Sequence, residues 1–208
     1  MEDVLDVYER PIDVKYPLVC MDEGPKQLIG ETRIPIPMQP GEPERYDHEY
    51  VRNGTCNIFM FSAPLLGWRR ADVTERRTRI DWAMQIKQLV DEDFPNAVKV
   101  VLVMDNLNTH SPASLYEAFA PEEAKRILDR LEIHYTPKHG SWLNMAEIEL
   151  SVLNNHGLAE RIADLSTMRQ QATAWYTKRN AGKNTIDWRF TNKEARVKLK
   201  RLYPKLQD

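Results

Sequence analysis

VKVVLVMDNLNTH, residues 98–110, is the stretch whose reading decides the architecture. Val98 to Met104 is almost continuously apolar, as expected of a central strand buried on both faces rather than of a half-solvated one. It stops abruptly at Asp105-Asn106-Leu107-Asn108-Thr109-His110. A strand covered on both sides calls for helices above and below, so the elements flanking it should alternate between helix and strand.

Working outward, Arg79 to Asp93 reads as a helix with Ile80, Ala83, Ile86, Leu89 and Val90 near one face, stopped by Pro95. After the central strand, Ser111 can cap a helix with Pro112 in its first turn. Pro121 restarts that helical region, which runs to about Leu131, and Ile133-His134-Tyr135 is a short strand. Residues 136–140 form a loop, and a helix follows from about Leu143 to Asn155, ending near Gly157. Leu165 to Asn180 and Asn192 to Leu202 read as helices, with a brief extended piece at Asp187 to Phe190.

On the other side, Leu18-Val19-Cys20-Met21 is a short buried strand ending in a turn at Asp22-Glu23-Gly24-Pro25. RIPIPMQPGEPERYD, 33–47, has too many prolines for a helix or a central strand and reads as a surface excursion. A strand region from Tyr50 to Phe61 and another at Trp68 to Thr74, joined through Pro64-Leu65-Leu66-Gly67, suggest an antiparallel hairpin. The sum is an α/β unit: one mixed sheet flanked by helices. No repeat, low-complexity tract or flexible linker marks off a detached domain.

Composition narrows the class. With 208 residues and 42% apolar side chains, the chain can build its own core. Cys20 and Cys56 lie in apolar runs and read as buried free thiols, a usage that suits a reducing cytoplasm. The acidic, broken opening MEDVLDVYERP lacks the basic start and apolar stretch of a signal peptide, and no run is long enough to span a membrane. Net charge is −2, which argues against a protein that coats nucleic acid indiscriminately. It is unevenly spread: residues 1–50 carry 12 acidic against 5 basic side chains, and residues 176–208 carry 3 against 10. The basic end, with Lys178 and Arg179, fits either a footprint for phosphates or a solvated helix tail.

Two aspartates stand at strand ends, where a sheet holds a side chain rigidly at the mouth of a cleft: Asp22 and Asp105. Either could equally form a turn or cap a helix. Glu147 and Glu149 share the helix that follows. At about 100° per residue, Asn144, Ser151 and Asn154 fall on the Glu147 side, whereas Glu149 points roughly opposite, near Met145 and Val152. Two aspartates and a glutamate suit hard cations such as Mg2+ or Mn2+. Zinc is less suited, because neither cysteine nor any histidine has partners at ligand spacing.

LVCMDE at 18–23, VLVMDNLNTH at 101–110 and TPKHGSWLNMAEIELSVL at 136–153, with a weaker match in YVRNGTCNIFMFSAPLLGWRRADVTERRT at 50–78, resemble the catalytic (DDE) domain of mariner-like and related bacterial insertion-sequence transposases. The resemblance implies an RNase H-like fold and a DDE-type endonuclease and polynucleotidyl transferase. Its three carboxylates, here Asp22, Asp105 and Glu147, would hold two Mg2+ (or Mn2+) ions for DNA cleavage and strand transfer at transposon ends. Glu147 matches because it stands three residues beyond Asn144 of Ser141-Trp142-Leu143-Asn144. The 41 residues between Asp105 and Glu147 exceed the shortest spacing typical of mariner-like members.

The same resemblance gives Asn106, Asn108, His110, His139 and Asn144 supporting roles. A helix-end or packing role suits His110 as well, and Trp142 reads as a core anchor. Arg69, Arg70, Arg76, Arg77, Lys138, Lys178 and Arg179 are candidate contacts to the backbone of double-stranded DNA; a solvated face suits any one of the arginines equally. On this reading residues 1–17 are an N-terminal extension, 18–160 the catalytic domain, and 161–208 a basic helical appendage packed on it. Relatives carry helix-turn-helix domains ahead of the catalytic region, and 17 residues leave no room for one. The expectation is therefore a separate helix-turn-helix partner or a missing N-terminal domain, and a homodimer. Two competing readings are a catalytically inactive DNA-binding or transposase-partnering remnant, and a nuclease for branched DNA on the same scaffold.

Overall fold

The computed structural model describes residues 1–138 and 140–203. Its centre is the apolar run: β4 (Val100–Met104) is buried at every position and lies between two parallel neighbours, β1 (Leu18–Glu31) and β5 (Leu131–Tyr135). β2 (Tyr50–Ala63) pairs antiparallel with β1, and β3 (Trp68–Thr74) antiparallel with β2. The sheet order is β3-β2-β1-β4-β5, a mixed sheet with helices on both faces, as the RNase H-like α/β expectation requires.

Strand alternation sorts the core into two layers. Val19, Met21, Phe59, Phe61, Leu102 and Met104 face α2 (Arg79–Gln88), α3 (Pro112–Ala118) and α4 (Pro121–Asp129), meeting Trp82, Ile86, Leu115 and Ile127. Cys20, Ile58, Met60, Val101 and Val103 face the other way. They pack on α1 (Glu2–Tyr8), α5 (Ala146–Val152), α6 (Leu165–Ala181) and α7 (Asn192–Lys198). Cys20 and Cys56 are buried free thiols. No helix of the described residues is long and apolar enough to cross a membrane.

Three local readings change. The acidic opening is not broken: it forms α1, whose Val4, Leu5, Val7 and Tyr8 are buried. The outward-facing Glu2 holds α7 through a two-pronged ion pair with Arg196, at 2.8 Å on both oxygens. The first strand does not stop at Asp22 but runs on to Glu31. What stops is its neighbour: β1 pairs with β4 only from Leu18 to Cys20, after which one side of β1 is open. Pro25 falls in that one-sided stretch, where a strand tolerates proline. Finally, the helix expected from Leu143 to Asn155 is divided. A 3-10 turn at Ser141–Leu143 precedes α5, and a π turn at Leu153–Gly157 follows it. Asn144 is extended (φ −86°, ψ 108°) because its amide is engaged elsewhere.

Candidate functional site

The end of β4 and the open side of β1 frame one acidic centre. Asp22 and Glu23 are consecutive strand residues and face opposite sides of the sheet. On the α5 side, the Asn144 amide donates to the Met21 carbonyl at 2.8 Å and to Asp22 Oδ2 at 3.3 Å, while its oxygen accepts the Ala146 N–H. Asn144 thus ties the start of α5 to the first aspartate. Tyr8 supports the same turn by donating its hydroxyl to the Leu143 carbonyl at 2.6 Å.

On the other side, buried His110 bridges two acids. Its Nδ1 lies 2.5 Å from Asp105 Oδ1 and its Nε2 3.0 Å from Glu23 Oε2, and its ring stacks on Trp82. The Glu23 contact is poorly aligned, so that buried oxygen has no well-formed hydrogen bond. Arg77 reaches the other Glu23 oxygen at 3.4 Å. Among the described residues, one group of three has ligand atoms all within 4.8 Å of one another: Glu23, Asp105 and His110. The two carboxylates of this set, one with an under-satisfied oxygen, suit a divalent cation; His110, bonded to both, is their counter-charge and offers no lone pair while protonated.

The electrostatics say that the centre carries surplus negative charge. Burial first, and then the charges of Asp105, Glu23 and Glu147, together raise the Asp22 carboxyl to about 7 against the opposing bond from the Glu23 N–H. Burial also raises Asp105, but the His110 hydrogen bond and charge outweigh it and hold Asp105 below the usual carboxylate value. His110 in turn is raised to about 9: burial works against its cationic form, and the bonds to Asp105 and Glu23 prevail. Glu147 is half-buried in the first turn of α5.

Glu23 did not stand out in the sequence. Ending the strand at Asp22 consigned its neighbour to a turn, whereas two-residue alternation over an unbroken strand would have aimed it at the α2–α3 side. Asn106 and Asn108 are exposed, and no side-chain hydrogen bond joins either to Asp105. His139 lies outside the described residues. Trp142, read as a core anchor, is 44% exposed and meets only the edge of Phe190 among aromatic rings.

The arginines divide sharply. Arg69 and Arg70 are corrected from DNA contacts to internal ion pairs. Arg69 is buried, its side chain bound to Glu149 at 2.8 Å and to the carbonyls of Gly67 and Asn184. Arg70 binds Asp93 at 2.7 Å and lies over the Phe61 ring. On β3, strand alternation points these consecutive residues to opposite faces, and helices cover both. Arg179 is mostly enclosed as well, gripping Glu149 at 2.7 Å. Arg76, Arg77, Lys138 and Lys178 are exposed. Lys178 lines an open cleft of about 540 Å³ together with His156 and Trp175.

A mixed sheet of this order, with an acid cluster at the carboxyl end of its most buried strand, defines an RNase H-like nuclease scaffold. The chain belongs to the DDE superfamily endonucleases, whose family profile matches residues 17–169. Among solved structures it is similar to the Mos1 transposase paired-end complex with left transposon end, at a TM-score of 0.58 and 14% identity over 87% of this chain and 55% of that one. It also resembles the Mos1 mariner paired-end complex with Mn, at a TM-score of 0.55 and 15% identity over 84% of this chain and 52% of that one. The Mos1 strand transfer complex matches at a TM-score of 0.55 and 15% identity, over 89% and 59%. The chain therefore spans little more than half the length of these structures. No curated protein matches it in sequence.

Proposed function

We propose that this chain is the catalytic domain of a cut-and-paste transposase that cleaves and rejoins phosphodiester bonds at transposon ends. In this reading Asp22, Asp105 and Glu147 are the ligands of two Mg2+ or Mn2+ ions. The observation that carries it is the surplus of carboxylates from β1, the end of β4 and α5 around Asp22, with no lysine or arginine among the described residues bound to Asp22 or Asp105. Such a cluster is costly to fold unless a cation offsets it. Held by these residues, divalent ions would supply Lewis-acid activation of the scissile phosphate and of the attacking water or 3′-hydroxyl.

The chain's own residues would hold and aim these ligands. Asn144 fixes Asp22, and His110 fixes Asp105 with Glu23 behind it. Arg76, Lys138 and Lys178 are exposed and would meet the backbone of double-stranded DNA, as would Arg77 on leaving Glu23. Recognition of transposon ends would fall to a helix-turn-helix domain or partner beyond residues 18–160, with 161–208 as the basic appendage and a homodimer as the working unit in the cytoplasm.

The test is Mn2+-dependent nicking of a supercoiled plasmid. Nicking by the wild type and its loss in folded Asp22→Asn, Asp105→Asn and Glu147→Gln supports the reading. Undiminished nicking in all three overturns it.

A further inference from the structure

We propose that Glu149 is a positioning residue for the acidic centre: gripped by Arg69 from β3 and Arg179 from α6, it fixes the roll of α5 about its own axis and so the place of Glu147. The proposal rests on Glu147 belonging to that centre.

α5 spans only Ala146–Val152, two turns, and a helix so short has no stable geometry of its own. Its first turn is held on the Asp22 side by Asn144. Glu147 and Glu149 are two residues and therefore about 200° apart around the axis. The far face is where Glu149 is caught. Its carboxylate is fully enclosed; Oε1 accepts from Arg69 at 2.8 Å and from Arg179 at 3.1 Å, and Oε2 from Arg179 Nε at 2.7 Å. Both arginines have further contacts: the Arg179 guanidinium lies over the Trp175 ring at 5.6 Å. Arg69 donates to Gly67 and Asn184, and its backbone exchanges two 2.8 Å bonds with the side chain of Asn180. Gly67 allows this approach: it has a positive φ of 65°, and a Cβ there would come within 2.7 Å of the Lys183 backbone.

Magnitude decides why such a clamp matters. A helix with its side chains is about 5–6 Å in radius, so a roll of ~20° shifts a carboxylate by about 2 Å. Metal ligands tolerate departures of only about 0.2 Å. Apolar packing has no preferred direction, whereas three charge-assisted bonds from two guanidiniums do. Stability alone is a weak reason for the trio. Buried ion pairs are often replaceable by apolar residues without loss, and here Arg69 Nε is left without a partner.

The experiment compares the wild-type chain with Glu149→Gln and with the triple variant Arg69→Met/Glu149→Leu/Arg179→Met, which removes all three charges of this trio together and so retains the fold if the single variant does not. Mn2+ affinity is measured by titration calorimetry, and nicking is measured at saturating Mn2+. The proposal expects folded variants with at least ~10-fold weaker Mn2+ binding, in the range for lost outer-sphere partners, and a lower nicking rate that added metal does not restore. Folded variants that bind Mn2+ as the wild type does and nick at its rate overturn the positioning role alone. A wild type that binds no Mn2+ overturns the reading of the centre, and this role falls with it.

Discussion

Glu147 and Glu149 belong to the same two-turn helix and have opposite surroundings. Glu149 is enclosed and more than neutralised: burial raises its carboxyl, but the hydrogen bonds from Arg69 and Arg179 outweigh it and hold it below the ordinary value. Glu147 is half-buried, and its charge adds to burial and to the charges of Asp105 and Glu23 in raising the Asp22 carboxyl to about 7. The lesson is that buried acid alone does not mark a site. An acid supplied with its counter-charge from the fold is structural. A group of acids left in surplus waits for a cation from outside.

The comparison can be broken most decisively at Glu149. Glu149→Ala should destabilise the protein by about 3–5 kcal/mol, because it strands two guanidiniums in the interior. Glu147→Gln should cost little or no stability. Urea denaturation of both variants tests this, and equal losses would erase the contrast. Next in size is catalysis: Asp105→Asn and Glu147→Gln should each slow Mn2+-dependent nicking by more than the ~10–100-fold typical of an outer-sphere partner. Single-turnover rates on a plasmid measure this.

The pH dependence sharpens the contrast through its sign. Asp22 titrates higher in the folded chain than in the unfolded one, so the folded state binds more protons between the two values. Its contribution is fully present below about 4 and is lost as pH rises through about 7. Glu149 is lowered, so its contribution is present above the ordinary carboxylate value and is lost as pH falls through its folded value. Without metal, Asp22→Asn should therefore gain on the order of 1–2 kcal/mol over wild type between pH 5 and pH 8, read from urea midpoints at the two pH values. A midpoint difference that does not change with pH would contradict the surplus charge. Mn2+ should reverse the alkaline loss in the wild type, since cations and protons compete for the same oxygens.

The smallest effect concerns the arginines. Arg76→Ala should weaken DNA binding a few-fold and lower the salt slope by about 1, with no change in denaturation midpoint beyond ~0.5 kcal/mol. Arg70→Ala should do the reverse, losing stability because Asp93 is left unpaired. Fluorescence anisotropy at several salt concentrations separates the two.

Much of this was legible in the chain itself. The run Val98 to Met104 announced a doubly covered strand, observed from Val100; the WRRADVT hairpin paired as its turn residues required, and Pro95, Pro112 and Pro121 set helix boundaries close to their observed places. The periodicity that set Glu147 apart from Glu149 also agrees with where the two side chains lie. Glu23 and the fate of Arg69 and Arg70 were not legible. A partner 80 residues away, as Glu149 is from Arg69, leaves no mark in local sequence.

Sequence alone therefore determined most of the elements, their order and the residue types able to hold a hard cation, because propensity and periodicity are local properties. Only the tertiary structure decided which charges neutralise one another inside the protein and which are left over. That choice is made by contacts between strands and helices far apart in the chain, and by the point at which β4 ends and leaves one side of β1 open.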